Sequence, residues 1–210
     1  MIITWYGEGC FKIQNGDDVV LTDAPPKDSG IVAPRITPLV YIQTIGAWQG
    51  AAGPSVQERA TFVINGAGEY DIHGIKIKGF QLAEESSPKF FKTIYTVLWD
   101  TITLGLLGHL SGDISPATLE SFEELDVLMG PGSGSPFIAQ DKIAKLVKQL
   151  NPKIFIPSFV ATKGLVRKAA PVKELVTQFN GDAESAEEKF VFKKKDLDAI
   201  KKTKIVCLHP

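Results

Sequence analysis

Cysteine, histidine and long apolar runs are all scarce in this 210-residue chain. The two cysteines, Cys10 and Cys207, lie in strand-like apolar runs, which favours two buried free thiols over a disulfide and a reducing, cytoplasmic location. Neither a CxxC nor a CxxxC pattern occurs, so no cysteine zinc site is expected. The formal net charge is -1, and no overall field therefore favours nucleic acid or an anionic membrane surface as a partner.

Membrane insertion and secretion are also not expected. No apolar run is long enough to span a bilayer, and the opening residues MIITWYGEGCF lack the basic and apolar regions of a signal peptide. What the chain does have is 44% apolar residues, enough for a sizeable core, and no linker-like stretch. We therefore predict that residues 1–210 form a single domain.

Short strand-like runs fill the first half of the chain. The apolar pattern predicts strands at residues 2–6, 10–14, 19–22, 39–42, 61–65, 69–82 (with a break at Gly74), 92–100 and 102–107. The pair Asn15-Gly16 marks a hairpin, because both residues tolerate positive φ.

The second half alternates between helical and strand-like patterns. Helices are predicted from Ser115-Pro116 to Leu125, over Gln140–Leu150 and over residues 171–179, with strands at 126–129, 153–157, 188–192 and 203–208. The lysine-rich stretches 193–195 and 201–204 are interpreted as solvated surface. Strands followed by strand–helix alternation predict an α+β fold, with sheets packed face to face and helices outside.

The stretch LVYIQTIGAWQG, residues 39–50, is where a catalytic site would be expected, because loops that leave core strands commonly carry reactive groups. After the strand, however, it contains no His, Asp, Glu, Cys or Lys. It offers only Thr44, Trp48 and Gln49 as polar or aromatic groups.

Several segments, in order, resemble the metallo-β-lactamase superfamily, in particular small zinc-dependent hydrolases related to ascorbate-6-phosphate lactonase. The opening ITWYGEGCFKI is similar to WxG-(His or Gln)-SCF, and VLTD is similar to the third strand and its aspartate. Further similar segments are INGAGEYDIHGIKIKGF, KTIYTVLWDTITLGLLGH, VLMGPG, KLVKQLNPKIFIPSF, KKKDL and TKIVCLHP. The resemblance covers nearly the whole chain and implies a four-layer αββα sandwich.

The resemblance also implies a zinc centre, but this chain lacks the residues that would form it. The family ligands come from THxHxDH, from GDLGH and from PMHY, and they hold a zinc ion that activates water. The aligned residues here are Thr44, Gly46, Trp48, Gln49, Leu106 and Phe159, while Glu8 replaces the His or Gln of the first turn. We therefore expect no zinc cofactor, and we predict that Trp48 and Phe159 partly fill the former metal cavity, because unpaired polar ligands would be costly there.

A relocated metal site is the first alternative. Glu69, Asp71 and His73 alternate along one predicted strand and could share a face. A structural role for these three residues is the favoured interpretation.

Metal-free acid–base chemistry is the second alternative. His109 could line a residual pocket with Glu8 and Asp113 as partners, although a hydrogen-bonded loop histidine is the favoured interpretation. Ser158 lacks a GxSxG context, which argues against a serine nucleophile.

The sequence therefore predicts a catalytically degenerate protein that serves as a metal-free binding, scaffold or regulatory protein. Its partners would be a second copy of itself or a catalytic paralogue, with no nucleic acid and no membrane indicated. The alternative function is a working hydrolase of phosphoesters or lactones. The residual pocket is predicted to contain Glu8, Thr44, Trp48, Gln49, His109 and Ser158.

Overall fold

Strands dominate the computed structural model, which describes residues 1–47, 57–122, 124–179, 183–185 and 188–210. Those of the first half are β1 (Ile2–Trp5), β2 (Phe11–Asn15), β3 (Asp18–Thr22), β4 (Val40–Gln43), β5 (Ile45–Ala47), β6 (Phe62–Asn65), β7 (Gly68–Ile72), β8 (Ile75–Gln81), β9 (Phe90–Trp99) and β10 (Ile102–Leu106). The second half adds β11 (Val127–Pro131), β12 (Ile154–Ser158), β13 (Ala183–Ser185), β14 (Lys189–Val191) and β15 (Lys204–Cys207). The helices are α1 (Pro116–Glu120), α2 (Gln140–Leu150), α3 (Val172–Thr177) and α4 (Lys194–Asp198).

The first sheet has the strand order β14-β1-β2-β3-β4-β6. Strands β1 to β3 are antiparallel, and the β2–β3 hairpin pairs Asn15 with Asp18. Gly16 turns this hairpin with a φ of +60°, as the Asn15-Gly16 pair predicted. From β3 onward the pairing is parallel, so that β3, β4 and β6 end at the same edge of the sheet.

The second sheet has the order β13-β15-β12-β11-β10-β9-β8-β7, and β5 adds to it by pairing with β9. Strands β10, β11, β12 and β15 are parallel neighbours, and every residue of β11 and β12 is buried. Fully apolar runs are typical of parallel strands covered on both faces. Helix α2 covers the outer face with Ile143, Leu146 and Val147, and its bounds match the prediction.

Two apolar cores hold the layers together. The larger core lies between the sheets and combines residues such as Ile13 and Ile42 from the first sheet with Tyr95 and Met129 from the second. The smaller core lies between the second sheet and its helices. The predicted α+β sandwich, with sheets packed face to face and helices outside, is therefore confirmed. No helix in the described ranges is long and apolar enough to cross a membrane.

The outer face of the first sheet is covered mainly by loops in the described ranges. Cys10, Leu21 and Tyr41 form a small cluster there, beneath loop residues that include Ile36 and Ala60. The helical segments nearest in sequence, Lys27–Ser29 and Gln57–Arg59, are single 3-10 turns. Both Cys10 and Cys207 are buried free thiols, as predicted.

Several elements differ from the sequence prediction, among them a shorter α1 and the unpredicted strand β13. Residues 45–47 were expected to be loop but form β5, in which Gly46 pairs with Phe91 of β9. The lysine-rich run after β14 was expected to be plain surface but contains α4. Its Leu197 is buried in the core between the sheets, so one apolar residue anchors an otherwise polar helix.

Candidate functional site

Polar side chains from both sheets meet where several core strands end. Asp23 directly follows β3, Thr44 directly follows β4, and Ser158 is the last residue of β12. His109 follows β10 by three residues. Because β3 and β4 are parallel neighbours in one sheet, and β10 and β12 are parallel to β11 in the other, their ends converge at one edge of the sandwich.

Asp23, Thr44 and His109 form a continuous hydrogen-bonded network at this edge. The Thr44 backbone N–H donates to Asp23 Oδ1 at 2.8 Å, and the Thr44 hydroxyl lies 2.6 Å from Asp23 Oδ2. The same hydroxyl oxygen is 2.7 Å from His109 Nδ1 and 3.3 Å from the His109 backbone nitrogen. Thr44 therefore bridges two titratable groups, Asp23 and His109, that lie 3.8 Å apart.

The threonine hydroxyl limits where the hydrogen atoms of this network can lie. A hydroxyl has one hydrogen to donate, so when Thr44 donates to the Asp23 carboxylate it accepts from His109 Nδ1–H. Burial lowers the pKa of His109 below its usual range, with the Asp23 carboxylate opposing that shift. Burial raises the pKa of Asp23, and its bonds to Thr44 and the nearby His109 counter this shift. With Asp23 ionised and the imidazole neutral, the imidazole proton lies on Nδ1 and the lone pair on Nε2.

An ion pair closes the mouth of the site. Arg167 donates to both Glu8 carboxylate oxygens, with Nη2–Oε2 at 2.6 Å and Nε–Oε1 at 2.8 Å. Its Nη2 also donates to the Phe159 carbonyl oxygen at 2.6 Å, and Phe159 N–H donates to the Glu8 carbonyl oxygen at 3.1 Å. Bidentate charge-assisted pairs of this kind are the strong ones. The segment that carries Arg167 is therefore fixed across the strand ends.

Aromatic rings pack beneath the Arg167 guanidinium. Its carbon lies 5.1 Å from the Phe137 ring centroid and 5.9 Å from that of Phe159. The two phenylalanine centroids are 4.2 Å apart, and the His109 ring meets Phe159 edge-on at 4.9 Å. The Phe159 backbone has a φ of +57°, a conformation that costs about 1 kcal/mol or more for a non-glycine residue and concentrates at specialised sites.

A void of about 10 Å³ remains at the strand ends. It is lined by polar Asp23, Thr44 and Ser158 and by apolar residues that include Leu106 and Met129. This volume is at the lower limit for one water molecule. The void is bounded in part by Gly9, where a Cβ atom would lie 2.7 Å from Phe159 Cζ. Phe159 thus packs against Gly9 beside the void, and the filling of a former metal cavity by Trp48 and Phe159 stays a prediction.

The structure brings together only some of the predicted site residues. Glu8, Thr44, His109 and Ser158 lie at the strand ends, whereas the predicted Trp48 and Gln49 lie outside the described residues. The proposed pairing of His109 with Asp113 is wrong, because Asp113 is engaged by Lys142 Nζ at 2.8 Å on the surface.

The predicted metal group at Glu69, Asp71 and His73 is not assembled. Glu69 pairs with Lys78 at 2.9 Å, and Asp71 accepts from the Gly74 backbone N–H at 3.2 Å. His73 lies beyond the end of β7 with a φ of +52°, so the expected alternation along one strand stops before it. The geometry corrects the assumption of a shared face.

Three site residues were not assigned these roles from the sequence. Asp23 appeared only as the end of the VLTD segment, although a carboxylate directly after a buried strand is a usable signal. The ion pair of Arg167 was not predicted from the sequence, because its partner Glu8 lies 159 positions away. Phe137 gave no signal at all.

The residues present do not fit the zinc centre that the resemblance implies. Of the metal-binding side-chain types, Asp23 and His109 are available, and both are already hydrogen-bonded to Thr44. A side chain at Gly46 would require its neighbours to move, because a Cβ atom there would clash with Asn65 Oδ1 and lie 2.5 Å from Phe91 Cζ. Across the described ranges, no group of three or more His, Cys, Asp or Glu side chains is arranged to hold a metal.

Two face-to-face mixed sheets, with a pocket at their strand ends, define the sandwich class typical of metal-dependent hydrolases. Residues 2–158 match the family model described as the beta-lactamase superfamily domain, so the chain belongs to this superfamily. No curated protein matches the chain.

Two solved structures are similar to the chain over most of their length. A candidate Zn-dependent hydrolase of the metallo-β-lactamase superfamily from Thermotoga maritima shares 25% identity, with a TM-score of 0.80, over 99% of this chain and 98% of that chain. A metallo hydrolase from the archaeon Ignicoccus hospitalis shares 14% identity, with a TM-score of 0.65, over 91% of this chain and 99% of that chain. The second likeness concerns the fold alone.

Proposed function

We propose that this protein is a metal-free member of the superfamily that binds a partner instead of hydrolysing a substrate. The observation that carries the proposal is the closed Asp23–Thr44–His109 network. Asp23 and His109, the two ligand-type side chains at this pocket, are both hydrogen-bonded to Thr44. Asp23 and His109 supply two ligand-type side chains, fewer than the three protein ligands of a catalytic zinc site.

The size of the pocket supports the same conclusion. The void of about 10 Å³ holds at most one water molecule, whereas hydrolysis needs room for a metal, its hydroxide and the scissile group. The Arg167–Glu8 pair and the Phe137 and Phe159 rings cover the approach. Their contacts would all have to be released for a substrate to enter.

Gly46 makes the loss of the metal site hard to reverse. A histidine at this position would meet Asn65 and Phe91, so β5 would have to move away from β9. Leu106 and Phe159 would also need to become ligands. Several coordinated changes, each costly alone, separate this chain from a zinc enzyme.

The partner, location and domain organisation stay predictions. We favour self-association or a catalytic paralogue as the partner. The two buried free thiols support a cytoplasmic location, and strands from both ends of the chain in the two sheets support one domain.

A hydrolase that uses His109 without a metal is the second candidate. It is favoured by the Asp23–Thr44–His109 network, in which the His109 Nε2 lone pair would be the base. The His109 side chain is 23% exposed. The proposed acid partner Glu8 is held by Arg167, which counts against this candidate.

Metal analysis and turnover assays distinguish these functions. Protein purified without chelator should carry far less than one equivalent of zinc, and calorimetric titration with Zn²⁺ or Mn²⁺ should show no stoichiometric binding. Phosphodiester and lactone substrates should not turn over. Stoichiometric zinc that is lost in His73→Ala would support the relocated metal site, and turnover that is lost in His109→Ala would support the metal-free hydrolase. Either result contradicts the proposal.

A further inference from the structure

A second cavity opens on the side of the sandwich where β14 and β13 form the edges of the two sheets. Its volume is about 830 Å³, within the usual range of small-molecule sites. Strand β12 contributes Ile154 to this groove and Ser158 to the strand-end pocket, and these positions are roughly 13 Å apart along a strand. The groove is therefore a separate site, and its assignment does not depend on the proposed loss of hydrolysis.

Apolar side chains form the floor and walls of the groove. Phe192, Leu197 and Ile205 belong to the buried core and form the floor. Phe190 and Ile200 are only partly buried, and the Phe190 ring stacks on Phe192 with centroids 4.8 Å apart. The groove thus presents apolar surface that is continuous with the core, which suits the apolar body of a ligand.

Positive charge surrounds this apolar surface. Lys201, Lys202 and Lys204 line the groove, and the one carboxylate in its described lining is Asp196. Asp196 Oδ2 accepts from the Lys193 backbone N–H at 2.8 Å, so it caps α4. Three lysines therefore outnumber one carboxylate in this described lining. The local field therefore favours an anionic group at the rim.

We propose that this groove binds a long-chain fatty acid, with the acyl chain against Phe190 and Ile200 and the carboxylate at Lys201 and Lys202. An extended peptide is a poorer fit, because the edge strand β14 has only three residues with which to pair it. Nucleic acid is also a poorer fit, since the Phe190 and Phe192 rings stack on each other inside the groove and do not form an exposed base-stacking platform.

Titration of the full chain with a fluorescent fatty acid, cis-parinaric acid, tests this assignment below the concentration at which the probe forms micelles. Saturable binding at one equivalent is expected. Saturated fatty acids should displace the probe, and removal of two methylenes should weaken displacement about tenfold. The alcohol of the same chain length should displace about fivefold less well, because it lacks the charge that the lysines attract.

Three variants locate the binding. Ile200→Asp places a charge on the groove wall, and Ala199→Trp fills the groove from an exposed position without removing a core contact. Both should weaken probe binding at least tenfold. Val166→Asp is the matched control, because Val166 is an exposed apolar residue (73%) outside the groove, and it should bind as the parent does.

Several outcomes would overturn the assignment. They are the absence of saturable binding, unchanged binding in the folded Ala199→Trp variant, or equal displacement by the alcohol. Association with anionic vesicles but not with the monomeric fatty acid would assign the groove to a membrane surface instead. A dimer that Ile200→Asp dissociates would assign it to a second copy of the chain.

Discussion

Removal of the Thr44 hydroxyl is the sharpest test of the closed pocket. Thr44→Val keeps the volume and β-branching of the side chain but deletes the oxygen that joins Asp23 Oδ2 to His109 Nδ1. Thr44 is 1% exposed, so water cannot replace the lost partner without entering the void of about 10 Å³. The substitution therefore isolates the bridge itself.

The expected cost follows from the groups left without partners. Asp23 keeps its bond from the Thr44 backbone N–H but loses the one to Oδ2, and an unsatisfied buried acceptor costs about 1–3 kcal/mol. His109 loses less, because its ring is partly exposed and Nδ1 can move toward Asp23 Oδ2, which is 3.8 Å away. We expect a total loss of about 2–3 kcal/mol in the free energy of unfolding.

Urea denaturation measures this loss. The slope of the free energy of unfolding against urea concentration should not change if the compactness of the unfolded state is unaffected. Thr44→Ser keeps the hydroxyl and should cost only about 1 kcal/mol, the value of one buried methyl group. Thr177→Val is the control for an exposed hydroxyl that donates to the Glu174 carbonyl oxygen, and it should cost no more than about 0.5 kcal/mol. If Thr44→Val costs no more than this control, the network does not hold the pocket closed.

Three further predictions follow from the same site. Arg167→Ala leaves Glu8 unpaired and should lower the free energy of unfolding, measured with urea, by about 2 kcal/mol, with Arg167→Lys intermediate. No change would mean that the Arg167–Glu8 ion pair does not stabilise the site. Burial lowers the pKa of His109, so below about pH 6.5 the unfolded chain binds a proton at this residue more readily than the folded chain does. The free energy of unfolding should therefore fall from pH 7 to pH 5. The raised pKa of Asp23 has the opposite effect on the free energy of unfolding as the pH falls. Separate His109→Gln and Asp23→Asn variants distinguish these two contributions to the pH dependence. An unchanged pH dependence in His109→Gln contradicts the role given to His109. Gly46→Ala should lower the free energy of unfolding by about 1–3 kcal/mol, because the added methyl group overpacks the site. Gly74→Ala is the control: its methyl group meets no neighbour, and its φ of +80° should cost only about 1 kcal/mol. Equal costs would contradict the close contact at β5.

Local sequence patterns predicted much of the fold. The helical spacing of Ile143, Leu146 and Val147 gave the bounds of α2, and the Asn15-Gly16 pair gave the β2–β3 hairpin. These features depend on neighbours within a few residues, so periodicity and turn chemistry are enough to find them. The ordered segments that resemble the superfamily also identified the family, because their order and spacing reflect the same strands.

Tertiary structure alone decided how the site is closed. Ile45–Ala47 became a strand because β9, from far along the chain, pairs with it and leaves room only for glycine at position 46. Neither residue type nor spacing could show that Arg167 would reach Glu8, or that Asp113 would be held by Lys142 instead of approaching His109.

The sequence by itself determined the side chains at the positions where the resemblance implies zinc ligands, and Gly46, Leu106 and Phe159 among them cannot bind a metal. That follows from side-chain identity alone, since glycine, leucine and phenylalanine offer no metal-binding side-chain atom. Only the tertiary structure decided how the polar groups at this site are paired, because hydrogen bonds among Asp23, Thr44 and His109 depend on three strand ends from two sheets meeting within a few ångströms.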